Sequence, residues 1–529
     1  MLATPALAPF AAWLLERARA AAHESVEEFI DELIGVPNGK KRQFTSPLYE
    51  HYFSADVLAK NPEAYLEALE ALRTIRSKLR DYRGDHLTIA DFVDFIDDYR
   101  QLDTPITSVR RRSDTIDDAI NLMTAHKSKG LEFDTVYVIN SIDAQWGERV
   151  RGRSRTISYP ENITIAPNAD TYDERLRLYF VAMTRAKRQL FLTYSRADLN
   201  GKDTLVAGFL TGVNLQPIVH RTPETVAQLT AQAQTAWHDR IIRKPTASMK
   251  ALLAPMLEQY KLSATHLNNF IDISRGGPQG FLMNNLLRFP QAKSADASFG
   301  TAIHAALQRA HTHLSATGER RPAEDVIGDF VRELHDQRLS IDEFNHYAKR
   351  GTDALSKFLH TEYDSFTPAQ KAELSFASQG VTLGDARLTG SLDLVDINDN
   401  HIFVTDYKTG KPSTSWTGRG DYEKIKLHKY RQQLMFYQLL CQHSRDYASY
   451  EFDGAILQFV EPDSRGNIHS LDQTFSTEEL AQFATLIAAV WRCITTLELP
   501  DASGYSTDYK GILQFEKDLI AGNEVGAQN

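Results

Sequence analysis

This sequence of 529 residues has only two cysteines, Cys441 and Cys493. Two thiols cannot supply a four-cysteine zinc site, an iron–sulfur cluster or a disulfide framework, and a reducing, cytoplasmic compartment suits them. No stretch approaches the roughly 20 apolar residues that a membrane span requires. The N-terminal run "MLATPALAPFAAWLLERARAAAHE" has no basic residue ahead of its apolar part, and Glu16 and Arg17 cut it short. It reads as an amphipathic helix, not a signal peptide. An excess of positive charge is missing too, since the net charge is −10. That does not exclude a nucleic-acid partner, because binding depends on local patches. "SVRRR" (108–112), "GERVRGRSR" (147–155) and "TRAKR" (184–188) are such patches, or else solvated basic loops.

What remains is an ordinary globular composition, 42% hydrophobic and 24% charged, on a chain too long for one core. Residues 1–112 carry helix-start signals at Ser46-Pro47, Asn61-Pro62 and Thr88…Asp91. Tyr65, Leu66, Leu69, Leu72, Ile75 and Leu79 recur at helical spacing, so a helical bundle is predicted. From about 113 to 200 the pattern changes. "AINLMTA", "DTVYVIN" and "QLFLTYS" predict strands around a helix at "DERLRLYFVAMTRAK", hence an α/β domain with a largely parallel sheet. Residues 201–258, with Pro217, Pro223 and Pro245, read as a helical connector. From 259 to 529 strands and helices alternate again. The strands are "AELSFAS", "GSLDLVDI", "HIFVTDYK" and "GAILQFV"; the helices centre on "FGTAIHAALQRAH", on "YRQQLMFYQLL" and on a segment capped by Ser476 with Glu479.

The most informative chemistry lies in "GSLDLVDI-NDN-HIFVTDYKTG". Asn398-Asp399-Asn400 suits a turn, so residues 391–397 and 401–408 predict a hairpin. Side chains two apart share a face, which puts Asp406 with Lys408 and brings Asp393 to the same end. Two carboxylates can hold Mg²⁺ or Mn²⁺, and a lysine beside them can orient water and offset charge on a phosphate. A surface ion pair on a hairpin is the alternative that these residues alone leave open.

With "FGTAIHAAL" upstream and "QLMFY" downstream, this segment resembles the nuclease domain of the RecB family, within the PD-(D/E)xK superfamily. The resemblance implies that His304, Asp393 and Asp406 ligate the metal and that Lys408 assists the attacking water. It also implies that Gln433 and Tyr437 shape the site and contact DNA. Leu394 stands where that family often has arginine.

"TAHKSKGLEFD" (124–134) resembles motif V of UvrD/RecB-type superfamily 1 helicases, and "ERLRLYFVAMTRAK" (174–187) resembles motif VI. In such motors ATP lies between two RecA-like domains. The resemblance assigns Arg185 to the γ-phosphate, Glu132 to the nucleotide sugar, and Thr124 and His126 to single-stranded DNA. Arg175 occupies a position that is usually acidic there. No G-x-x-x-x-G-K-[ST] string occurs; "GVPNGKKR" (35–42) has one residue too few between its glycines and no hydroxyl after its lysine. ATP hydrolysis is therefore expected only together with a missing N-terminal motor half.

The expected architecture is α/β and multidomain. It comprises a helical subdomain of the helicase second half (1–112), a partial RecA-like motor domain (113–200), the connector (201–258) and a restriction-endonuclease-like α/β nuclease domain (259–529). The expected function is that of a helicase–nuclease of DNA repair and recombination, a Mg²⁺- or Mn²⁺-dependent DNA exonuclease without an iron–sulfur cluster. Its expected partners are DNA and a motor half or partner helicase–nuclease chain, with no membrane. The alternative is a catalytically inactive DNA-binding subunit that completes a partner's motor.

Overall fold

A computed structural model of the chain describes residues 7–20, 24–37, 44–82, 87–106, 120–147, 172–198, 201–213 and 248–526. The basic patches at 108–112 and 148–155 and most of the connector, 214–247, lie outside these residues. The chain divides into two compact units, one made of residues 1–112 with 245–529 and the other of residues 113–244. No helix among the described residues is long and apolar enough to cross a membrane.

The first unit opens with α1 (Ala8–Ala20), α2 (Val26–Ile34), α3 (Leu48–Phe53), α4 (Ala55–Lys60), α5 (Pro62–Tyr82) and α6 (Ile89–Gln101). Asn61 caps α5 by accepting from the Ala64 amide, and Pro62 takes the first helical position, where no N–H is needed. Tyr65, Leu69, Leu72 and Leu79 form the buried stripe of α5, while Leu66 and Ile75 stay half-buried at its edge. The Thr88–Asp91 capping box at α6 forms as predicted.

The smaller unit holds β1 (Phe133–Val138), α7 (Asp143–Trp146), α8 (Tyr172–Met183) and β2 (Ala186–Leu192). β1 and β2 pair in parallel, Val136 opposite Leu190, with α8 in the crossover between them. Tyr179 on α8 is fully buried, donating its hydroxyl to Ser141 at 2.9 Å. One expected strand is not there. Residues 120–124 of "AINLMTA" form no strand, and Ile120 and Leu122 are 97% and 85% exposed. A strand needs a ladder partner for its N–H and C=O groups, and among the described residues this sheet has two strands only.

The first unit resumes with α9 (Met249–Glu258), α10 (Ala264–Ile271), α11 (Gly277–Phe281), α12 (Ala295–Thr317), α13 (Ala323–Asp336) and α14 (Ile341–Glu362). Then come β3 (Lys371–Ser375), β4 (Thr382–Leu383), β5 (Ala386–Arg387), β6 (Ser391–Asn398), β7 (His401–Lys408), α15 (Asp421–Gln442), β8 (Glu451–Phe459), β9 (Ser470–Gln473), α16 (Thr477–Thr496) and α17 (Tyr509–Gly526). The main sheet has the order β3-β6-β7-β8-β9 and is antiparallel except for β7–β8. One core contains Val395 and Val404 of the sheet with Leu434 and Phe436 of α15 and Ile487 of α16. A second contains Leu394 and Tyr407 with Ile303 and Leu307 of α12 and Phe330 of α13. Helices α2 to α6 join the first core, and several contacts tie them to the later part of the unit. Phe53 meets Phe289 edge-on at 5.1 Å, and Asp31 accepts from the Ala292 amide at 2.8 Å.

Candidate active site

The β6–β7 hairpin forms as the turn chemistry predicts, with Asp399 in the left-handed region at φ 51°. Pairing runs from Asn398↔His401 to Leu394↔Thr405 and then stops. Beyond it, strict alternation breaks. Leu392 and Val395, three apart, both enter the first core, whereas Leu394 enters the second. Asp393 sits at this break. Its Oδ2 accepts from the Tyr407 amide at 2.9 Å, which anchors it across the hairpin from Asp406.

The second carboxylate is deeply enclosed. Asp406 is 1% exposed, and Lys408, at 14%, pairs with its Oδ2 at 2.5 Å. The opposite oxygen, Oδ1, accepts from Gln433 at 2.9 Å and from Tyr437 at 3.0 Å. Gln433 and Tyr437 are one turn apart on α15 and bond each other at 2.5 Å. Gln433 Oε1 also accepts from Lys408 Nζ at 2.9 Å, and the Tyr430 ring lies 4.7 Å from that nitrogen. Such a pair is not a surface ion pair on a hairpin.

From α12, His304 Nδ1 reaches Asp393 Oδ2 at 3.2 Å. A further acid completes the group. His304, Asp393 and Glu373 of β3 offer ligand atoms all within 4.8 Å of one another, close enough together that one cation could be held. Glu373 did not figure among the residues expected from sequence. Its signal was a carboxylate between two apolar residues, Ala372 and Leu374, of the strand. Its backbone has φ 50°, rare for a residue with a side chain, and Ser391 Oγ donates to it at 2.9 Å. Asp406 is not in that triad.

The electrostatics follow from this enclosure. Burial pushes the Asp406 carboxyl up and Asp393 adds to it, outweighing the Lys408 charge, so it lies above the usual carboxylate range. Burial also works against ionised Asp393, but His304, Lys408 and the Tyr407 amide overcome it and hold that carboxyl low. For Lys408, burial is outweighed by Asp406, so the ammonium is retained more strongly than in water. His304 is likewise raised, since Asp393 outweighs the effect of burial. Burial drives the Tyr437 phenol well above its ordinary value, so it is a neutral donor. The unit thus presents low-pKa and high-pKa carboxyls side by side with a fixed cation, an arrangement suited to acid–base and charge-stabilising chemistry.

In the smaller unit Thr124 caps a short turn over Ala125–Ser128 that packs on α8. His126 is exposed on that turn. Arg185 Nη1 donates to the Leu131 carbonyl and its Nε to the Val181 carbonyl, both at 3.1 Å. Glu132, next to Leu131, pairs loosely with Lys187 at 3.6 Å, both side chains being exposed. Arg175, at the position noted above, donates to the Gly147 carbonyl at 3.0 Å.

Comparison with known proteins matches residues 261–505 to the PD-(D/E)XK nuclease superfamily and residues 22–197 to the UvrD-like helicase C-terminal domain. The chain is 27% identical over 200 residues to an ATP-dependent helicase/nuclease subunit of Natranaerobius thermophilus, a match covering 34% of this chain and 13% of that protein. The protein of the same name in Bacillus licheniformis is 26% identical over 205 residues, 35% of this chain and 14% of the relative. ATP-dependent DNA helicase Rep of Buchnera aphidicola is 37% identical over 80 residues, 15% of this chain and 10% of the relative. The chain thus spans a small part of each relative's length. With motifs V and VI inside the helicase match and the Asp393–Asp406–Lys408 cluster inside the nuclease match, this protein joins a UvrD-like helicase C-terminal domain to a PD-(D/E)XK superfamily nuclease domain.

Proposed function

We propose that this chain is a metal-dependent DNA exonuclease of repair and recombination, coupled to the second half of a superfamily 1 helicase motor. The observation that carries the reading is the buried Asp406–Lys408 pair set beside the His304–Asp393–Glu373 group. One imidazole and two carboxylates suit Mg²⁺ or Mn²⁺. When bound, such an ion polarises the phosphoryl oxygen and makes water a better nucleophile at neutral pH. His304, Asp393 and Glu373 would hold it, with Asp406 joining if it exchanges its Lys408 contact for the ion. Lys408, held protonated, orients the attacking water and offsets the charge growing on the phosphate. Water gives up a proton as it adds to phosphorus, the bond to the departing sugar oxygen breaks, and that oxygen takes a proton in turn. Gln433 and Tyr437 keep Asp406 and Lys408 in register; Gln433, half-buried, could also contact DNA, whereas Tyr437 is buried with its hydroxyl held by Gln433 and Asp406.

The helicase portion is read by analogy with motifs V and VI. Arg185 would reach the γ-phosphate, Glu132 the nucleotide sugar, and Thr124 and His126 single-stranded DNA, with ATP present only when an N-terminal motor half is supplied. The relatives named as subunits support an assembly with another chain. We assign 1–112 and 113–200 to the motor's second half, 201–258 to a connector and 259–529 to the nuclease.

Degradation of end-labelled linear DNA in Mg²⁺ or Mn²⁺ without ATP, with Lys408→Ala beside the native chain, tests the reading. Release of labelled nucleotides by the native chain alone supports it, and equal cutting by the variant overturns it. No cleavage by either, even with a motor half and ATP, favours the inactive DNA-binding subunit.

A further inference from the structure

The end of β7 is held by a residue from outside the cluster described above. β7 and β8 run parallel as far as Lys408 opposite Phe459, and the Lys408 carbonyl accepts from the Val460 amide at 2.9 Å. The next tie between the two chain ends is made by a side chain. Glu461, the residue after Val460, accepts the Gly410 amide on its Oε1. The ladder is thereby extended by one rung, two residues beyond Lys408, and a backbone donor gains its acceptor.

Glu461 is itself fixed. Arg350 of α14 donates to both of its oxygens, Nε to Oε2 at 2.8 Å and Nη2 to Oε1 at 2.9 Å. This bidentate geometry sets the direction of the carboxylate as well as its position. The same guanidinium lies 4.8 Å over the Phe299 ring and 3.4 Å from Asp296, both on α12. That helix carries His304, and at Gly300 it comes so near the turn after β7 that a Cβ would lie 3.2 Å from Thr409 Oγ1. One run of contacts thus joins the helix of His304 to the strand end of Lys408, and it passes through Glu461. An Arg–Glu tie that only joined α14 to the sheet would need nothing from Gly410. Here the carboxylate holds the turn as well. Lys408 carries its ammonium on a flexible stem, so the backbone at the root of that stem decides where the charge can sit. A misplacement of about 1 Å in a reacting group costs on the order of a hundredfold in rate.

We propose that Glu461 is a positioning residue of the nuclease reaction: oriented by Arg350, it pins the Gly410 amide, fixes the backbone at the end of β7 and so places Lys408 Nζ. The proposal rests on the nuclease reading and adds to it a residue that touches neither Asp406 nor Lys408 by its side chain.

Two measurements on the full chain, with Glu461→Ala and Glu461→Gln beside the native protein, test this. The first is amide hydrogen exchange in EDTA, which reads the pin apart from cleavage. In Glu461→Ala the peptide spanning residues 405–412 exchanges about tenfold faster or more, while peptides from α17 keep the native rate. Glu461→Gln, which keeps a carbonyl oxygen for the amide, exchanges more slowly than Glu461→Ala. The second is cleavage of end-labelled linear DNA in Mg²⁺, well below Tm. In Glu461→Ala kcat falls by about one to two orders of magnitude and KM changes much less, and Glu461→Gln recovers most of the loss. Both variants lower Tm, since neither offers Arg350 a carboxylate, so a merely structural Glu461 would make kcat fall in both alike. Native exchange in Glu461→Ala overturns the proposal, and so does faster exchange with an unchanged kcat or an equal loss of kcat in the two variants. A native chain that cuts nothing, even with a motor half and ATP, would instead overturn the nuclease reading and Glu461's part in it, with the exchange result still showing whether Glu461 holds the turn.

Discussion

Lys408 Nζ and Asp406 Oδ2, two residues apart on one strand, meet at 2.5 Å in an enclosure that leaves the carboxylate 1% exposed. Buried pairs of this kind resist the loss of one partner, because the other is left charged and unsolvated. Lys408→Ala therefore abolishes DNA cleavage and also destabilises the first unit, by on the order of 3 kcal/mol. Urea unfolding at neutral pH beside the cleavage assay checks both; a fully stable variant would show that the pair contributes nothing to the fold.

Glu373 is the proposed ligand whose removal separates two metal geometries. Its carboxylate has one hydrogen-bond partner at hand, the Ser391 hydroxyl, so Glu373→Gln keeps the fold. It lowers Mn²⁺ affinity roughly tenfold or more, as His304→Ala does, by calorimetric titration. An unchanged titration for Glu373→Gln with a lowered one for Asp406→Asn would shift the ligand set to His304, Asp393 and Asp406.

His311, about two turns beyond His304 on α12, is 2% exposed, stacked on Phe366 at 3.8 Å and bonded through Nε2 to the Tyr407 hydroxyl at 2.9 Å. Burial lowers its pKa to about 4, so the folded chain holds it neutral while the unfolded chain protonates it near 6.5. A depressed folded value means that the unfolded state binds more protons, so stability is full above about pH 6.5 and falls as pH drops toward 4. The loss amounts to about 2–3 kcal/mol. Denaturation midpoints between pH 7 and 4.5 are expected to change less steeply in His311→Phe than in the native chain. Parallel slopes would place the pH dependence elsewhere.

Arg185 spends its donors on the Val181 and Leu131 carbonyls. Arg185→Ala thus costs the smaller unit about 1 kcal/mol in the chain by itself, seen as a small drop in Tm. Its larger effect needs an N-terminal motor half, with which DNA-stimulated ATP hydrolysis falls by about two orders of magnitude or more. Undiminished hydrolysis in that reconstituted system would remove Arg185 from the γ-phosphate.

Several features of this protein are local and therefore legible in the chain. The Asn398-Asp399-Asn400 turn, the two-residue period of the strands and the Ser476–Glu479 and Thr88–Asp91 boxes depend on neighbours within a few residues, and all form. The same period is enough to put Asp406 and Lys408 on one face, whereas Asp393, where the alternation breaks, is fixed by the Tyr407 amide. Gln433 and Tyr437 meet because helical side chains four apart must. What tertiary structure alone decided is which of these groups are enclosed and what else reaches them. Glu373 comes to His304 through strand pairing across residues far apart in sequence, with a backbone twist that no periodicity announces. Residues 120–124 have a strand's composition and form none, because composition supplies side chains but not a ladder partner. Helices α2 to α6 bury their apolar residues in the same core as Val404 and Phe436, a choice of partner that an amphipathic pattern leaves open. Local hydrogen bonding is written in short spans of sequence; burial, register and the meeting of distant charges are settled only when the whole chain competes for the same interior.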